Sequence, residues 1–279
     1  MANYSATKDA KELSYLYDLY FVPGWRELFD QLVDAEVKLP KEGKFLDAGS
    51  GTGAYAIDLA VRFGDKAQVI GIDDSAERLA IANGKAEIKR LDNIRFAHGH
   101  LESLGVESED FDAVLADLSL IAPPELPDRL EDILLELKRV ARPNATIVLK
   151  LATRGSFDEF FSFYWEALFE LDLLDYTAQL EELISERLTI EQLESAAQEA
   201  GFLNVETLTE QQQFEFDTAE DFFTAPLFAN AFLGHWLGIL ASEREEQEVR
   251  ETLIRIIDRE RGDGTFDLSA KTTLVIAKP

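Results

Sequence analysis

The stretch Phe45-Leu-Asp-Ala-Gly-Ser-Gly-Thr-Gly53 decides the fold class of this chain. It begins as a short apolar run and continues into three glycines that are separated by single residues. Glycine is required where the backbone adopts a positive φ or passes close to a ligand. The free N–H groups at the start of a following helix attract polar or anionic ligand groups. The stretch therefore predicts a β-strand, a binding turn and a helix, in that order.

Strands and helices alternate outward from this turn as far as about residue 150. Apolar runs predict strands at 44–48, 67–72, 93–97, 111–116 and 146–149. The helices between them are expected at 54–63, from Ser75 onward, and at 128–140. Such an alternation is typical of an α/β protein with a parallel, doubly wound sheet.

The pattern changes on both sides of this region. Residues 1–43 have the spacing of amphipathic helices, with an interruption expected at Pro23-Gly24. After residue 150, aromatic side chains follow one face of an expected helix, at Phe157, Phe160, Phe161, Tyr164 and Trp165. The remaining elements expected are two helices before residue 201, a strand at 202–208, long helices at 218–240 and 243–261, and a last strand at 272–277.

Composition excludes several classes of protein. The chain carries 54 acidic and 27 basic residues, a formal net charge of −27. Such a surface repels nucleic-acid phosphates and anionic membranes, so neither is expected as a partner. The absence of cysteine excludes disulfides, thiolate metal sites and cysteine nucleophiles. The polar N-terminus lacks a secretory signal, and residues 225–241 are expected to form a buried helix, so a cytoplasmic location is expected.

Two aspartates accompany the glycine-rich turn. Asp47 ends the first expected strand, and ligands of open α/β sheets bind at the carboxyl ends of the strands. Its carboxylate can therefore face an ammonium group of a ligand. Asp73 lies 20 residues beyond Gly53, at the end of the second expected strand. A carboxylate there can accept hydrogen bonds from both hydroxyls of a ribose.

The turn also fits a second kind of cofactor. Gly49-x-Gly51-x-x-Ala54 has the spacing of a dinucleotide-binding fingerprint. A pyrophosphate would gain nothing from the carboxylate of Asp47, however, and the chain ends in a strand rather than in a separate substrate domain. These features favour a methyl donor, while an NAD-dependent oxidoreductase stays open as the less favoured alternative.

Several blocks of the chain resemble the motifs of class I S-adenosylmethionine-dependent methyltransferases. Residues 45–53 resemble motif I, residues 69–73 the second motif, and residues 111–117 motif IV. Residues 96–104 resemble the segment that meets the adenine, and residues 188–202 resemble the region before the sixth strand of small-molecule members. The resemblance implies a Rossmann-like α/β fold with a seven-stranded, mostly parallel sheet, an antiparallel last strand and a helical cap.

This fold implies a division of the chain. We expect an N-terminal helical lid over residues 1–43 and a methyltransferase domain over residues 44–279. Helical cap insertions are expected at about 151–201 and 211–268. The oligomeric state does not follow from the sequence.

The resemblance also implies S-adenosylmethionine as the cofactor and a role for each matching residue. Asp47 would reach the methionine amino group, and the turn with Ser50 would bring the backbone close to the cofactor. Asp73 would bind the ribose, with Asp74 beside the adenine. The full set of expected cofactor-binding residues is Asp47, Gly49, Ser50, Gly51, Gly53, Asp73, Asp74, His100, Leu101, Asp117 and Tyr20.

Four residues of this set lie apart in the sequence from residues 47–53 and 73–74. His100 and Leu101 would flank the adenine, although the family usually has an acidic residue where His100 stands. Asp117 would lie near the sulfonium and is also a candidate catalytic residue. Tyr20, with Tyr17, would close over the cofactor from the N-terminal helices.

The methyl acceptor is expected to be a small molecule. The Asp/Asn-Pro-Pro-aromatic motif that grips nucleobase or glutamine amino groups is missing after Ala116. If the aromatic helix face lines a pocket, the acceptor is partly apolar. His235 is a candidate catalytic base, and no metal site is predicted. A protein methyltransferase or a non-catalytic cofactor-binding protein stays open as the alternative.

Overall fold

The computed structural model describes residues 9–279, so the first eight residues of the expected lid lie outside the described part. Within residues 9–279, seven strands form one sheet: β1 (Gly43–Ala48), β2 (Ala67–Asp73), β3 (Ile94–His98), β4 (Phe111–Asp117), β5 (Ala141–Ala152), β6 (Leu203–Phe216) and β7 (Phe266–Lys278). The α-helices of the same range are α1 (Ala10–Leu16), α2 (Glu27–Glu36), α3 (Ala54–Phe63), α4 (Ala76–Lys89), α5 (Leu126–Val140), α6 (Asp158–Glu170), α7 (Thr177–Ser185), α8 (Ile190–Glu199), α9 (Ala219–Thr224), α10 (Pro226–Ala231), α11 (Leu233–Leu237) and α12 (Glu243–Arg261).

The sheet has the order β3-β2-β1-β4-β5-β7-β6, and β7 runs antiparallel to its neighbours β5 and β6. Strand β1 lies between β2 and β4 and is parallel to both, with Phe45 opposite Val69 and Ala113. The carboxyl ends of these three strands therefore meet at one edge, which carries Asp47, Asp73 and Asp117. The predicted Rossmann-like, mostly parallel sheet with an antiparallel last strand is confirmed.

The residues divide into two compact units. The first comprises residues up to 151 together with 189–210 and 272–279, and the second comprises 152–188 and 211–271. Helix α8, which lies in the expected cap insertion 151–201, therefore belongs to the first unit. Lys138 Nζ donates to the carbonyl of Gly201 just after α8, at 2.5 Å, and its ammonium lies 5.8 Å from the Phe202 ring. That the remaining cap segments cover an acceptor stays a prediction.

The core of the first unit lies on the central strands. Phe45, Val69, Ala113, Leu115 and Val148 are buried in one cluster. Helix α3 packs its apolar face against this cluster, and Gly64 ends the helix. The side chain of Ser75 accepts from the backbone N–H of Arg78 and so caps the start of α4, which begins where the sequence predicts.

The second unit is built around aromatic side chains. The predicted aromatic face of α6 is mostly core, since Phe157, Phe160, Phe161 and Tyr164 are buried while Trp165 is half-buried. Trp236 lies 4.9 Å from the ring centroids of both Phe157 and Phe160. We call the following set the aromatic cluster: Phe157, Phe160, Phe161, Phe222, Phe228, Phe232 and Trp236.

Two expectations about helices are wrong. The expected long helix at 218–240 is divided into α9, α10 and α11. Pro226 lacks the N–H donor that a continuous helix would need, and Phe232 leaves the helical region with φ −125° and ψ −48°. The apolar segment 225–241 is therefore not one buried helix. No helix within residues 9–279 has both the length and the apolarity needed to cross a membrane.

The expected break at Pro23-Gly24 is also absent. Between α1 and α2 the chain continues as a π-helix over Tyr17–Arg26, with Pro23 inside it. A proline removes one N–H donor and crowds the preceding turn of an α-helix. We attribute the π-helical winding to this defect, since irregular turns of this kind are where helices absorb misfits.

One irregularity in β5 agrees with the sequence. Phe111 lies opposite Ala141, but Ala113 lies opposite Thr146, so β5 has extra residues between the two pairs. Asn144 adopts a positive φ of 71° there. The chain therefore turns at Pro143-Asn144, inside a strand β5 that is longer than the strand expected at 146–149.

Candidate functional site

The glycine-rich turn has the backbone that its sequence requires. Gly49, Gly51 and Gly53 have φ values of 72°, 57° and 77°. A Cβ atom on Gly49 would lie 2.8 Å from the carbonyl oxygen of Asp117, and one on Gly53 would lie 2.5 Å from Cζ of Phe96. Both distances are too short for a real side chain, so only glycine fits.

Asp73 ties the turn to the start of α4. Its Oδ2 accepts from the backbone N–H of Gly51 at 2.8 Å, and its Oδ1 accepts from the N–H of Ser75 at 3.0 Å. Arg78 Nε donates to the same Oδ1 at 2.8 Å and Arg78 Nη2 to Asp74 at 2.7 Å. Asp73 therefore shapes the turn, a role that the sequence did not indicate beside the expected ribose contact.

Asp47 is fully buried at the end of β1, and neither carboxylate oxygen has a hydrogen-bond partner within residues 9–279. Burial raises the pKa of Asp47 above its usual value, against the opposing influence of Lys150 and Arg26. The Oγ atom of Ser50 is likewise buried without a partner in the described chain. Polar atoms in this state point to a ligand, because buried polar groups in folded proteins are normally hydrogen-bonded.

Arg26, on the π-helix, contacts the turn directly. Its Nε donates to Oδ2 of Asp117 at 2.7 Å, its Nη2 to the carbonyl of Gly49 at 2.6 Å, and its Nη1 to the hydroxyl of Tyr17 at 2.7 Å. Burial opposes the charge on Asp117, yet Arg26 and Lys150 hold the pKa of Asp117 below its usual value. Asp117 is therefore an ionised, buried acceptor, which Ser119 also binds through its N–H and hydroxyl.

A second buried ion pair lies beside the first. Lys150 is fully buried in β5 and donates to Oδ1 of Asp30 at 2.7 Å, while its Nζ lies 3.8 Å from Asp117. Burial raises the pKa of Asp30 to about 6, an effect that Lys150 partly opposes. We call Arg26, Asp30, Asp47, Asp117 and Lys150 the charged cluster.

A cavity of about 360 Å³ opens beside the turn in the first unit. Five residues of the expected cofactor-binding set contribute to its wall: Gly49, Asp73, Asp74, Leu101 and Asp117. Apolar side chains complete one side: Leu120, Ile121 and Ala122.

Six expected residues do not line this cavity. Four of them belong to β1 or the turn itself: Asp47, Ser50, Gly51 and Gly53. The other two are Tyr20 and His100. Tyr20 is exposed, and Tyr17 from the same π-helix contributes to the wall instead. His100 is exposed as well, and its backbone forms a bridge with Ser103. Contact of either residue with the cofactor stays a prediction.

His235 does not lie in a buried apolar helix as expected. It belongs to the short helix α11 of the second unit, where Leu233, Trp236 and Leu237 are buried and His235 is exposed. Its Nε2 lies 2.7 Å from Oε2 of Glu186, which belongs to the same unit. A catalytic role for His235 stays a prediction.

The sequence analysis did not identify Arg26, Asp30 and Lys150 as site residues. A signal for Lys150 existed, since it follows Thr146-Ile-Val-Leu149 and precedes Leu151 in a strand that is otherwise apolar. Lysine is almost never fully buried without a partner. No comparable signal marks Asp30. Within the described residues, no group of three or more histidine, aspartate or glutamate side chains is arranged to hold a metal ion.

Comparisons with known proteins identify the family of this chain. A family model described as a methyltransferase domain matches residues 39–201. The demethylmenaquinone methyltransferase of Shouchella clausii is 30% identical over 129 residues, which are 45% of this chain and 53% of that protein. The corresponding protein of Geobacillus kaustophilus is 29% identical over 191 residues, or 65% of this chain and 78% of that protein. The Shouchella match thus spans about half of that relative's length.

A solved structure shares the fold at lower identity. It is that of Haemonchus contortus phosphoethanolamine N-methyltransferase 2 in complex with phosphomonomethylethanolamine and S-adenosylhomocysteine. The TM-score is 0.56 at 17% identity, and the match covers 98% of this chain and 58% of that one.

Proposed function

The chain belongs to the family of methyltransferase domains, and on that premise we propose that it transfers the methyl group of S-adenosylmethionine to an oxygen, nitrogen or carbon atom of a small, partly apolar acceptor. The observation that carries the proposal is the buried Asp47 carboxylate beside the glycine-rich turn, which lacks a hydrogen-bond partner within residues 9–279. Burying such a group costs free energy unless a ligand supplies donors. The α-ammonium of the cofactor's methionine group supplies three.

The charged cluster fits both charges of an amino-acid group. Asp47 offers acceptors to the ammonium, and Arg26 offers guanidinium donors to the carboxylate. The cluster contains three carboxylates against two cations, so it lacks one positive charge when all five groups are ionised. A cofactor that carries both an ammonium and a sulfonium complements this excess of negative charge.

The cavity wall supports the rest of the cofactor. Asp73 offers carboxylate oxygens to the ribose, and Leu101 offers an apolar surface to the adenine, with Asp74 near them. Ser50 offers a buried hydroxyl that has no other partner in the described chain. The proposal thus keeps those residues of the expected cofactor-binding set that line the cavity or border the glycine-rich turn.

The chemistry asks little of the protein beyond placement and electrostatics. The bound cofactor supplies an electrophilic methyl group on a positively charged sulfur. Displacement requires the acceptor atom in line with that group at close distance. Arg26 and Ser119 hold Asp117 ionised, so we assign Asp117 to electrostatic stabilisation rather than to proton transfer. The apolar wall of Leu120 and Ile121 excludes water beside it.

The relatives support the acceptor class at a coarse level. Two of them are named demethylmenaquinone methyltransferases, so at least these two relatives act on a small molecule. The atom that receives the methyl group is not distinguished by these observations.

The proposal is tested by calorimetric titration of the full chain with S-adenosylhomocysteine and, separately, with NAD. We expect the first to bind and the second not to bind. Binding of NAD without binding of S-adenosylhomocysteine would refute the proposal. A screen of small molecules with isotopically labelled S-adenosylmethionine, with an unstructured peptide mixture as the comparison, then separates a small-molecule acceptor from a protein acceptor.

A further inference from the structure

Arg187 of the second unit is a cation without an acidic partner. It follows α7 and is partly buried, and its guanidinium carbon lies 5.2 Å from the ring centroid of Phe157 and 6.0 Å from that of Phe232. Within residues 9–279, its guanidinium has no hydrogen bond and no carboxylate within 4.0 Å. In that part of the chain, the guanidinium contacts these two aromatic rings.

Several other arginines of the described chain have oxygen acceptors, which Arg187 lacks. The guanidinium of Arg26 has three of them. Arg250 also lies over a ring, 5.1 Å from the centroid of Phe223, but it is half-exposed and faces Glu220 at 4.0 Å. An arginine stacked on a ring therefore occurs twice in the second unit, once with a carboxylate and once without.

The nearest acidic residue is engaged elsewhere. Glu186 precedes Arg187 in the chain, but its carboxylate is held by Nε2 of His235 at 2.7 Å. Burial lowers the pKa of Arg187 to about 10, and Glu186 opposes this shift. A partly buried guanidinium attracts an anion more strongly than an exposed one, because the effective dielectric constant around it is lower.

The loop that carries Arg187 is fixed in place. Arg154 Nε donates to the carbonyl of Arg187 at 3.1 Å and its Nη2 to the carbonyl of Ser185 at 2.5 Å. The backbone N–H of Arg154 donates to the carbonyl of Leu188 at 3.0 Å. Three hydrogen bonds from one residue thus hold the loop, so its backbone does not have to be ordered when a ligand binds.

The aromatic wall beside it is also held under backbone strain. Phe157 adopts a left-handed conformation with φ 68°, and its N–H donates to the carbonyl of Ser269 at 2.7 Å. A bulky residue with positive φ is rare, and strain of this kind is concentrated at ligand sites. The backbone strain at Phe157 and the unpartnered charge of Arg187 both indicate a ligand site.

We propose that Arg187, with the rings of Phe157 and Phe232, is a binding subsite for the anionic group of an apolar molecule. A carboxylate or a phosphate matches the planar fork of the guanidinium, and the apolar body of the ligand lies beside the aromatic side chains. The net charge of −27 repels anions in general, so a local desolvated cation is the means by which this chain selects one. The subsite does not depend on methyl transfer.

Phenyl phosphate is the probe for this subsite, with inorganic phosphate and phenol as its two halves. Titration calorimetry of the full chain should show phenyl phosphate binding more tightly than either half. Arg187→Gln should weaken phenyl phosphate by about tenfold or more, because it removes charged hydrogen bonds. Arg250→Gln is the matched control and should leave the affinity unchanged. Affinity for S-adenosylhomocysteine should be the same in all three proteins.

The proposal is overturned if phenyl phosphate does not bind the wild-type chain, or binds the Arg187→Gln variant equally well. If that variant fails to fold, Arg187→Lys, which keeps the charge, is used instead. The measurement is then the NMR spectrum of the arginine Nε–H groups of the ¹⁵N-labelled wild-type chain rather than the affinity. The signal missing in Arg187→Lys should shift on addition of phenyl phosphate. An unchanged signal overturns the proposal, whatever the result with S-adenosylhomocysteine.

Discussion

In the first unit, the side chains buried beside the glycine-rich turn are charged, whereas in the second unit the buried side chains around Phe160 are aromatic. The charged cluster contains hydrogen bonds of 2.6 to 2.7 Å and one carboxylate, Asp47, that has no partner within residues 9–279. The aromatic cluster contains ring contacts near 5 Å, such as the 4.9 Å between Phe160 and Trp236.

The difference separates binding from stability. Burying ions rarely stabilises a protein, since the cost of removing them from water offsets their attraction. Burying aromatic surface does stabilise it. We therefore expect substitutions in the charged cluster to change ligand affinity first, and substitutions in the aromatic cluster to change the free energy of unfolding first.

The largest effect on stability is expected from Phe160→Ala. Phe160 is fully buried among Phe161, Phe222 and Trp236, so the variant leaves a cavity and should lose about 3–5 kcal/mol of unfolding free energy. Denaturant unfolding measures this loss. Phe169→Ala is the control, because Phe169 is 72% exposed and its loss should be small. A loss below about 1 kcal/mol for Phe160→Ala would contradict the aromatic cluster as a packed core.

Asp47→Asn tests the charged cluster, where we expect a change in ligand affinity without a loss of stability. The variant removes the negative charge that we assign to the cofactor ammonium, so affinity for S-adenosylhomocysteine should fall about 10–100-fold. Its unfolding free energy should stay the same or rise, because the pKa of Asp47 is already raised by burial and its charge is unpaired. Calorimetry and denaturant unfolding measure the two quantities. Equal affinity with reduced stability would make Asp47 a structural residue.

Asp30 gives the charged cluster a dependence on pH. Its pKa is raised by burial to about 6, so the folded state binds a proton that the unfolded chain releases near pH 4. The contribution of Asp30 is therefore fully present below about pH 4 and is lost as the pH rises through about 6. The stability of wild type relative to Asp30→Asn should fall by about 1–3 kcal/mol between pH 4 and pH 7.

Denaturant unfolding of both proteins at several pH values measures this change. Asp110→Asn is a suitable control, since Asp110 forms a half-exposed pair with Lys44. The prediction is contradicted if the unfolding free energy of wild type, relative to that of Asp30→Asn, stays constant or rises between pH 4 and pH 7.

The smallest effect on stability is expected from His235→Gln. The pair of His235 with Glu186 is 39% and 20% exposed, and ion pairs near the surface contribute about 0–1 kcal/mol. Stability should therefore change little. Once an acceptor is known, the rate of methyl transfer tests the predicted base, because loss of a general base lowers kcat by about 10²–10⁴-fold. An unchanged rate would remove His235 from the catalytic candidates.

Local patterns in the sequence were sufficient for the main elements of the fold. The strands at 44–48, 67–72 and 111–116 agree with β1, β2 and β4 to within one residue, and the helix at 54–63 has the bounds of α3. Apolar runs and glycine positions act over a few residues, so they can be read without the rest of the chain. The prediction of one helix at 218–240 was wrong because Pro226 interrupts it, although the apolar spacing alone indicates a continuous helix.

The glycine-rich turn was determined by the sequence itself, because positive φ and close backbone contact leave no other residue possible at Gly49, Gly51 and Gly53. The charged cluster was decided only by the tertiary structure. Arg26 reaches Asp117 across 91 positions and Lys150 reaches Asp30 across 120. No local pattern records such a pairing, since burial and charge balance arise only when distant strands and helices pack together.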